Sequence, residues 1–295
     1  MTSVTVLERI TRVTPLGVRL RDEATRTFVT ESIVASVYRQ GSPERRRWGI
    51  ANRNHIFVFR DLPGMGEIER GAGDAAFWTA HPPQSAFILE VLDRSGRYLP
   101  FRLPVRLPQR RVLGIALASP LTSPPALQTG SEEGWLPLYA SPTYAPLDGL
   151  GVLRATLVDA GTQQPAAWAL LEVKAGEQRV VTGMADREGR VMLPLYYPKP
   201  VIILGSPGTI NTPLPDQEWT VALTIRYRRR MPAPEIADLG DVLTQPAATA
   251  WKDVALTNPL TAATLHFGRE LRLASEDASA QPTATLLITP AGSPP

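Results

Sequence analysis

Chemistry in this chain would have to come from three histidines, a few serines and its carboxylates, because it contains no cysteine. That absence removes thiol catalysis, a disulfide framework and cysteine-ligated metal sites. His55 opens an apolar run, His81 precedes Pro82 and Pro83, and His266 stands between Leu265 and Phe267. None has a second histidine two or four residues away, the spacing by which one face of a helix or strand grips a metal. Ser206 lies between glycines in "LGSPG" (204–208), but Pro207 spoils the strand–turn–helix geometry that a nucleophile elbow needs. "GMGEIERGAG" (64–73) lacks the lysine and hydroxyl of a phosphate loop and reads as a mobile loop between strands. Glu132 and Glu133 sit near Trp135, an acid–aromatic grouping that could suggest a sugar site. Adjacent carboxylates in a flexible stretch are not held at the fixed separation that glycoside hydrolysis requires. The sequence therefore predicts no catalytic residue, no cofactor, no metal and no enzyme.

Contact chemistry is better represented. Arg45, Arg46 and Arg47 form one basic cluster, Arg110 and Arg111 a second, and Arg228, Arg229 and Arg230 a third. Net charge is only +3, from 31 basic against 28 acidic residues, so these clusters are islands rather than a continuous basic face. A nonspecific nucleic-acid binder typically neutralises ~6–10 phosphates through one patch, so arginines at a protein interface or a solvated edge fit better. Trp135, Tyr139 and Tyr144 alternate with prolines between residues 119 and 149. Such aromatics either fold back onto a domain surface or dock into a partner's groove, where aromatic anchors supply much of the energy.

The elements that must hold these residues are strands. Twenty-nine prolines, nearly one residue in ten, exclude long helices and keep strands short. "WTVALTIRY" puts Trp219, Val221, Leu223, Ile225 and Tyr227 on one face and Thr220, Ala222, Thr224 and Arg226 on the other. A charge at Leu223 should be far more damaging than one at Thr224. Further strands are expected at 32–38, 55–59, 87–92, 150–159, 168–175, 190–195, 201–205 and 283–289, with a short helix between Pro234 and Pro246. "FILEVLDRSGRYLPFRLPV" and "VTGMADREGRVML" each place a polar glycine turn between apolar segments, as in a β-hairpin. "TLHFGRELRL" alternates again, with Leu265 and Phe267 on one face, and offers a strand for addition to a sheet.

Two stretches share a plan. Residues 18–38 and 155–175 each run from an apolar strand ending in aspartate (Asp22, Asp159) through a threonine (Thr25, Thr162) to a second strand. Downstream, "ANRNHIFVFRDLP" (51–63) matches "ADREGRVMLPLYY" (185–197), with Asn52 and His55 in place of Asp186 and Gly189. The ordered series points to two copies of one β-sandwich.

On these residues, "LVDAGTQQPAAWALLEV … VTGMADREGRVMLPL" resembles the carboxypeptidase-regulatory-like, or transthyretin-like, β-sandwich family. That resemblance implies a non-catalytic module. The whole layout, from "GRYLPFRLPVRLP" through "DREGRV" to "LHFGRELRLAS … TATLLITPAGSPP", resembles proteins encoded with contractile injection systems, the phage-tail-like particles. The expected fold is all-β: two Ig-like or transthyretin-like sandwiches (1–115 and 149–230), a proline-rich linker (116–148) and an extended C-terminal segment (231–295) with one or two strands. The implied function is that of a structural adaptor at the cap or baseplate end, with a carbohydrate-binding or adhesin-like module as the alternative. Implied partners are cap, sheath, tube or baseplate subunits, or further copies of the chain, without nucleic acid. No apolar run reaches the ~20 residues that span a bilayer. The first residues lack a signal-peptide pattern, so cytoplasmic assembly is expected before release with a particle.

Overall fold

A computed structural model of the chain describes residues 12–114, 134–176, 180–198 and 216–292. The strand expected at 201–205, the Ser206 turn and the Glu132–Glu133 pair lie outside the described residues. Two β-sandwiches account for nearly all the regular structure, as expected for an all-β chain.

The first sandwich begins with β1 (Leu16–Asp22), β2 (Ile33–Arg39), β3 (Arg47–Trp48), β4 (Ile50–Ala51) and β5 (Ile56–Phe59). Next come β6 (Ser85–Asp93), β7 (Phe101–Leu107), β8 (Val112–Leu113) and β9 (Leu136–Leu138). One sheet runs β4-β5-β1-β8, with β9 pairing further along β1; the facing sheet contains β7-β6-β2-β3. Period-two alternation turns Leu16, Val18 and Leu20 inward against Phe87, Leu89, Val91, Phe101, Leu103 and Val105. Each such large side chain stabilises the fold by ~1.5–3 kcal/mol on burial. The glycine-rich stretch expected to be a mobile loop instead carries α1 (Gly66–Glu69) and precedes α2 (Ala75–Ala80). Leu62, Met65 and Ile68 recur at three-residue intervals and are buried in the core, which outweighs the glycines.

The second sandwich contains β10 (Leu150–Asp159), β11 (Leu170–Ala175), β12 (Val181–Met184), β13 (Arg190–Tyr196) and β14 (Glu218–Arg226). Val221, Leu223, Ile225 and Tyr227 are buried while Thr220 and Ala222 are exposed, as the alternation of β14 requires. Pro104 in β7 and Pro194 in β13 face the ladder of one neighbour only, which tolerates their missing N–H.

Residues 231–292 do more than extend. They supply β15 (Ala237–Asp238), α3 (Leu239–Leu243), β16 (Ala247–Ala250), β17 (Ala262–His266), β18 (Leu271–Leu273) and β19 (Leu286–Pro290). β15 adds to the edge of β7 in the first sandwich, whereas β16 to β19 pair with β14 and β10 of the second. The segment packs back onto its own chain because β10 and β14 would otherwise present open edges.

The two copies agree in detail. β1 and β10 each have an antiparallel neighbour (β5, β13) on one side and two short parallel strands in succession (β8 then β9, β18 then β19) on the other. Asp22 Oδ1 accepts from the amides of Ala24 and Thr25 at 2.7 and 3.0 Å, and Asp159 Oδ1 from those of Gly161 and Thr162 at 2.9 and 3.3 Å. The following turn puts Arg26 and Gln163 at φ +64 and +56. Asn52 and Asp186 donate their amides to the carbonyls of Ile56 and Arg190 at 2.9 and 2.8 Å, and His55 and Gly189 both have positive φ.

Candidate interaction surface

The arginine clusters have different fates. Arg229 donates to both carboxylate oxygens of Asp159, at 2.7 and 2.9 Å. Arg228 and Arg230 both reach Asp241, at 2.6 and 2.8 Å, so α3 is clamped to the end of β14. All three are struts between elements rather than a free basic patch. Burial pushes the Asp159 carboxyl up, but Arg229 and the amides of Gly161 and Thr162 outweigh it and hold the group below its ordinary value. Tyr227 nearby is pushed up to about 12 by burial and by that carboxylate. In the first copy the distal partner of Asp22 is the Tyr98 hydroxyl, at 2.8 Å. Burial, then the Asp22 charge, keeps that phenol protonated far above its ordinary range.

The linker aromatics fold back. Within 116–148, residues 136–138 form β9, and Tyr139 and Tyr144 are buried in the first core, with Tyr144 against Tyr98. Trp135 is half-buried beneath Arg21, whose guanidinium lies 3.2 Å from the ring centroid. None is free to anchor a partner while the domain is folded. Their alternation with prolines resembles an extended arm because β9 carries Pro137 and is only three residues long.

Leu265 is likewise fully buried in the second core. Phe267 stays half-exposed and forms an aromatic cluster with Tyr197 and Trp219, at centroid separations of 4.8 Å to Tyr197 and 5.5 Å from Tyr197 to Trp219. Tyr196 beside it is 50% exposed. His266 faces Glu218 at 3.7 Å, His81 bonds the carbonyl of Phe77, and His55 occupies a turn. Among the described residues no three metal-ligating side chains converge. A groove of about 500 Å³ is lined by Arg154, Arg190 and Arg272, but Glu270 pairs with the first and last, and Asp186 with Arg190.

Arg45, Arg46 and Arg47 border solvent, as do the exposed Arg110 and Arg111. Arg46 turns inward to Glu90 at 2.6 Å, while Arg45 and Arg47 remain exposed. Beside them Trp48 and Ile50 are 56% and 71% exposed, the combination that sequence inspection passed over. "RRRWGIA" gives no long alternation, because the chain crosses from one sheet to the other within it: β3 pairs with β2 and β4 with β5. Gly49 makes the crossing feasible, since a Cβ there would lie 2.8 Å from the Phe59 ring.

No family model matches the chain, and no curated protein matches it. Solved structures give low-scoring alignments. A 9R-lipoxygenase from Cyanothece PCC8801 aligns with 13% identity and TM-score 0.19 over 48% of this chain and 18% of that one. The Bacillus anthracis TIE protein aligns with 11% identity and TM-score 0.22 over 93% and 34%. The shaft pilin spaA from Lactobacillus rhamnosus GG aligns with 10% identity and TM-score 0.22 over 95% and 100%. The chain thus spans under a fifth and about a third of the first two proteins. Scores of this size do not mark a shared fold, and the β-sandwich assignment rests on the strand pairings above. No helix among the described residues is long and apolar enough to cross a membrane.

Proposed function

We propose that this protein is a non-enzymatic adaptor acting through protein–protein contacts, within a contractile injection particle and toward its cap or baseplate end. The observation that carries the adaptor reading is the core shared by the two sandwiches. Trp168, Leu170, Met184 and Met192 of the second pack into the same apolar cluster as β1, β6 and β7 of the first. Residues 231–250 strap the two together, with β15 on one sandwich and β16 on the other. A body so joined transmits force between neighbours without hinging, which suits an adaptor better than a pair of flexibly tethered modules.

The particle assignment draws on the sequence layout. Its partners would be cap, sheath, tube or baseplate subunits, met during assembly in the cytoplasm, and nucleic acid has no part in it. Gentle lysis of producing cells, a density gradient and a blot beside sheath and tube markers test it. Co-sedimentation with sheathed particles is the expected result; a free 32.2 kDa species at the top of the gradient overturns the assignment. Deleting residues 231–295 is not a usable control, because it removes β15 to β19, four of which pair with β10 and β14 of the second sandwich.

The Tyr197–Trp219–Phe267 cluster favours a second reading, a glycan-binding module, since partly exposed rings can stack on sugars. Glycan-array binding that Phe267→Ala abolishes would support it over the adaptor.

A further inference from the structure

We propose that the β3–β4 edge is a strand-addition site for an acidic extended segment of a partner protein; this deepens the adaptor reading and rests on it. The backbone supplies the first observation. Gly49 donates to the Ala35 carbonyl at 2.8 Å, so in the antiparallel register Ser36↔Trp48 the Trp48 N–H and C=O point away from β2. Asn52 donates to the Ile56 carbonyl at 2.9 Å, and the same alternation along Ile50↔Val58 and Ala51↔Phe57 turns the Ala51 groups outward. The edge therefore offers unfilled donors and acceptors on both sides of Gly49.

Side chains supply the second. Edge strands are ordinarily blunted by shortness, charge, proline or a bulge; β3 and β4 are short, yet Trp48 and Ile50 stand exposed between the charges. Charge then selects the occupant. Across residues 39–61 the acids are Glu44 and Asp61, against Arg39, Arg45, Arg46, Arg47, Arg53 and Arg60. Arg46 is occupied by Glu90, and Arg47 Nε bonds the Asp61 carbonyl at 3.1 Å. Arg39, Arg45, Arg53 and Arg60 are exposed, and their guanidiniums make no hydrogen bond or ion pair among the described residues. Apolar anchors flanked by unpaired guanidiniums fit a strand that alternates acidic and aliphatic side chains. Open backbone groups favour a polypeptide over a nucleic acid, which has no ladder to extend.

The test uses the full-length chain and a short capped peptide of alternating glutamate and valine, fluorescently labelled and followed by anisotropy. Saturable binding is expected, weakened about ten-fold by Trp48→Ser or by the pair Arg45→Glu and Arg47→Glu. Lysine in place of glutamate, or proline in place of valine, should abolish it. Equal binding of the glutamate–proline peptide would reduce the site to charge and overturn strand addition. Tighter binding of an oligothymidylate would overturn the choice of partner. No saturation at about 1 mM, or unchanged binding by Trp48→Ser with a native circular dichroism spectrum, would overturn the site itself. Failure here leaves particle co-sedimentation untouched, and absence from particles leaves peptide binding untouched, so the two readings fall separately.

Discussion

Asp159 ties its turn to a distant arginine, accepting from two amides and from two nitrogens of Arg229. Replacing it with alanine leaves those donors without their acceptor and should lower stability by about 2–3 kcal/mol, measured by urea unfolding. Its pH signature has a definite sign. Because the folded-state pKa is depressed, its stabilisation is complete above the unfolded-state value and is lost as pH falls through the folded one. Asp159→Asn should therefore be destabilising at neutral pH while flattening the acid limb of the stability profile. A variant whose acid limb stays as steep as the parent's would show that other carboxylates set it. At the matching position of the first copy, the Tyr98 hydroxyl takes the place of the arginine and donates to Asp22. Tyr98→Phe should then lower stability by about 1–2 kcal/mol, with unfolding midpoints compared at the same pH.

At the level of elements, the repeat makes a paired prediction. Gly189 has φ +76, and a Cβ there would lie 2.3 Å from the Leu157 carbonyl oxygen, so Gly189→Ala should destabilise by about 3 kcal/mol or more. His55 sits in the matching turn at φ +57 but is exposed, and His55→Gly should change stability by less than about 1 kcal/mol, relief of strain offsetting added chain entropy. Thermal melts of both variants check the asymmetry. That Asn52 and His55 stand where aspartate and glycine stand in the other copy was legible in the sequence, because side chains that bond their own turn leave a local trace. So were β10, β13 and β14, whose patterns run for many residues. Short elements were not. β9, β15 and β16 take their pairing from strands distant in sequence, and nothing local distinguishes them from linker. The interaction surface was half legible: the arginine triplets showed, but which triplet is neutralised depends on Asp159 and Glu90, far away along the chain, and on Asp241, whose place is set by how α3 folds back.

For the molecule as a whole, the decisive question is whether the two sandwiches are one unit. Trp168 lies at their junction, 2% exposed and at φ +62, donating from its indole to the Pro234 carbonyl at 3.0 Å. Gln245 closes the same junction. Its amide donates to the carbonyls of Trp168 and Val242, and its oxygen accepts from the Arg228 amide and the Arg230 guanidinium, every bond within 3.0 Å. Separating the sandwiches would strand this buried polar network and expose the indole together, so neither half can leave alone at small cost. Calorimetry should accordingly show one transition, with van't Hoff and calorimetric enthalpies in agreement. Trp168→Ala removes the largest side chain of the junction, at about 3–5 kcal/mol, and should split that transition in two. The lower one should be accompanied by faster amide exchange in residues 237–250. Two transitions already in the unmodified chain would mean that the sandwiches melt independently, and an adaptor that carries force through both would lose its physical basis.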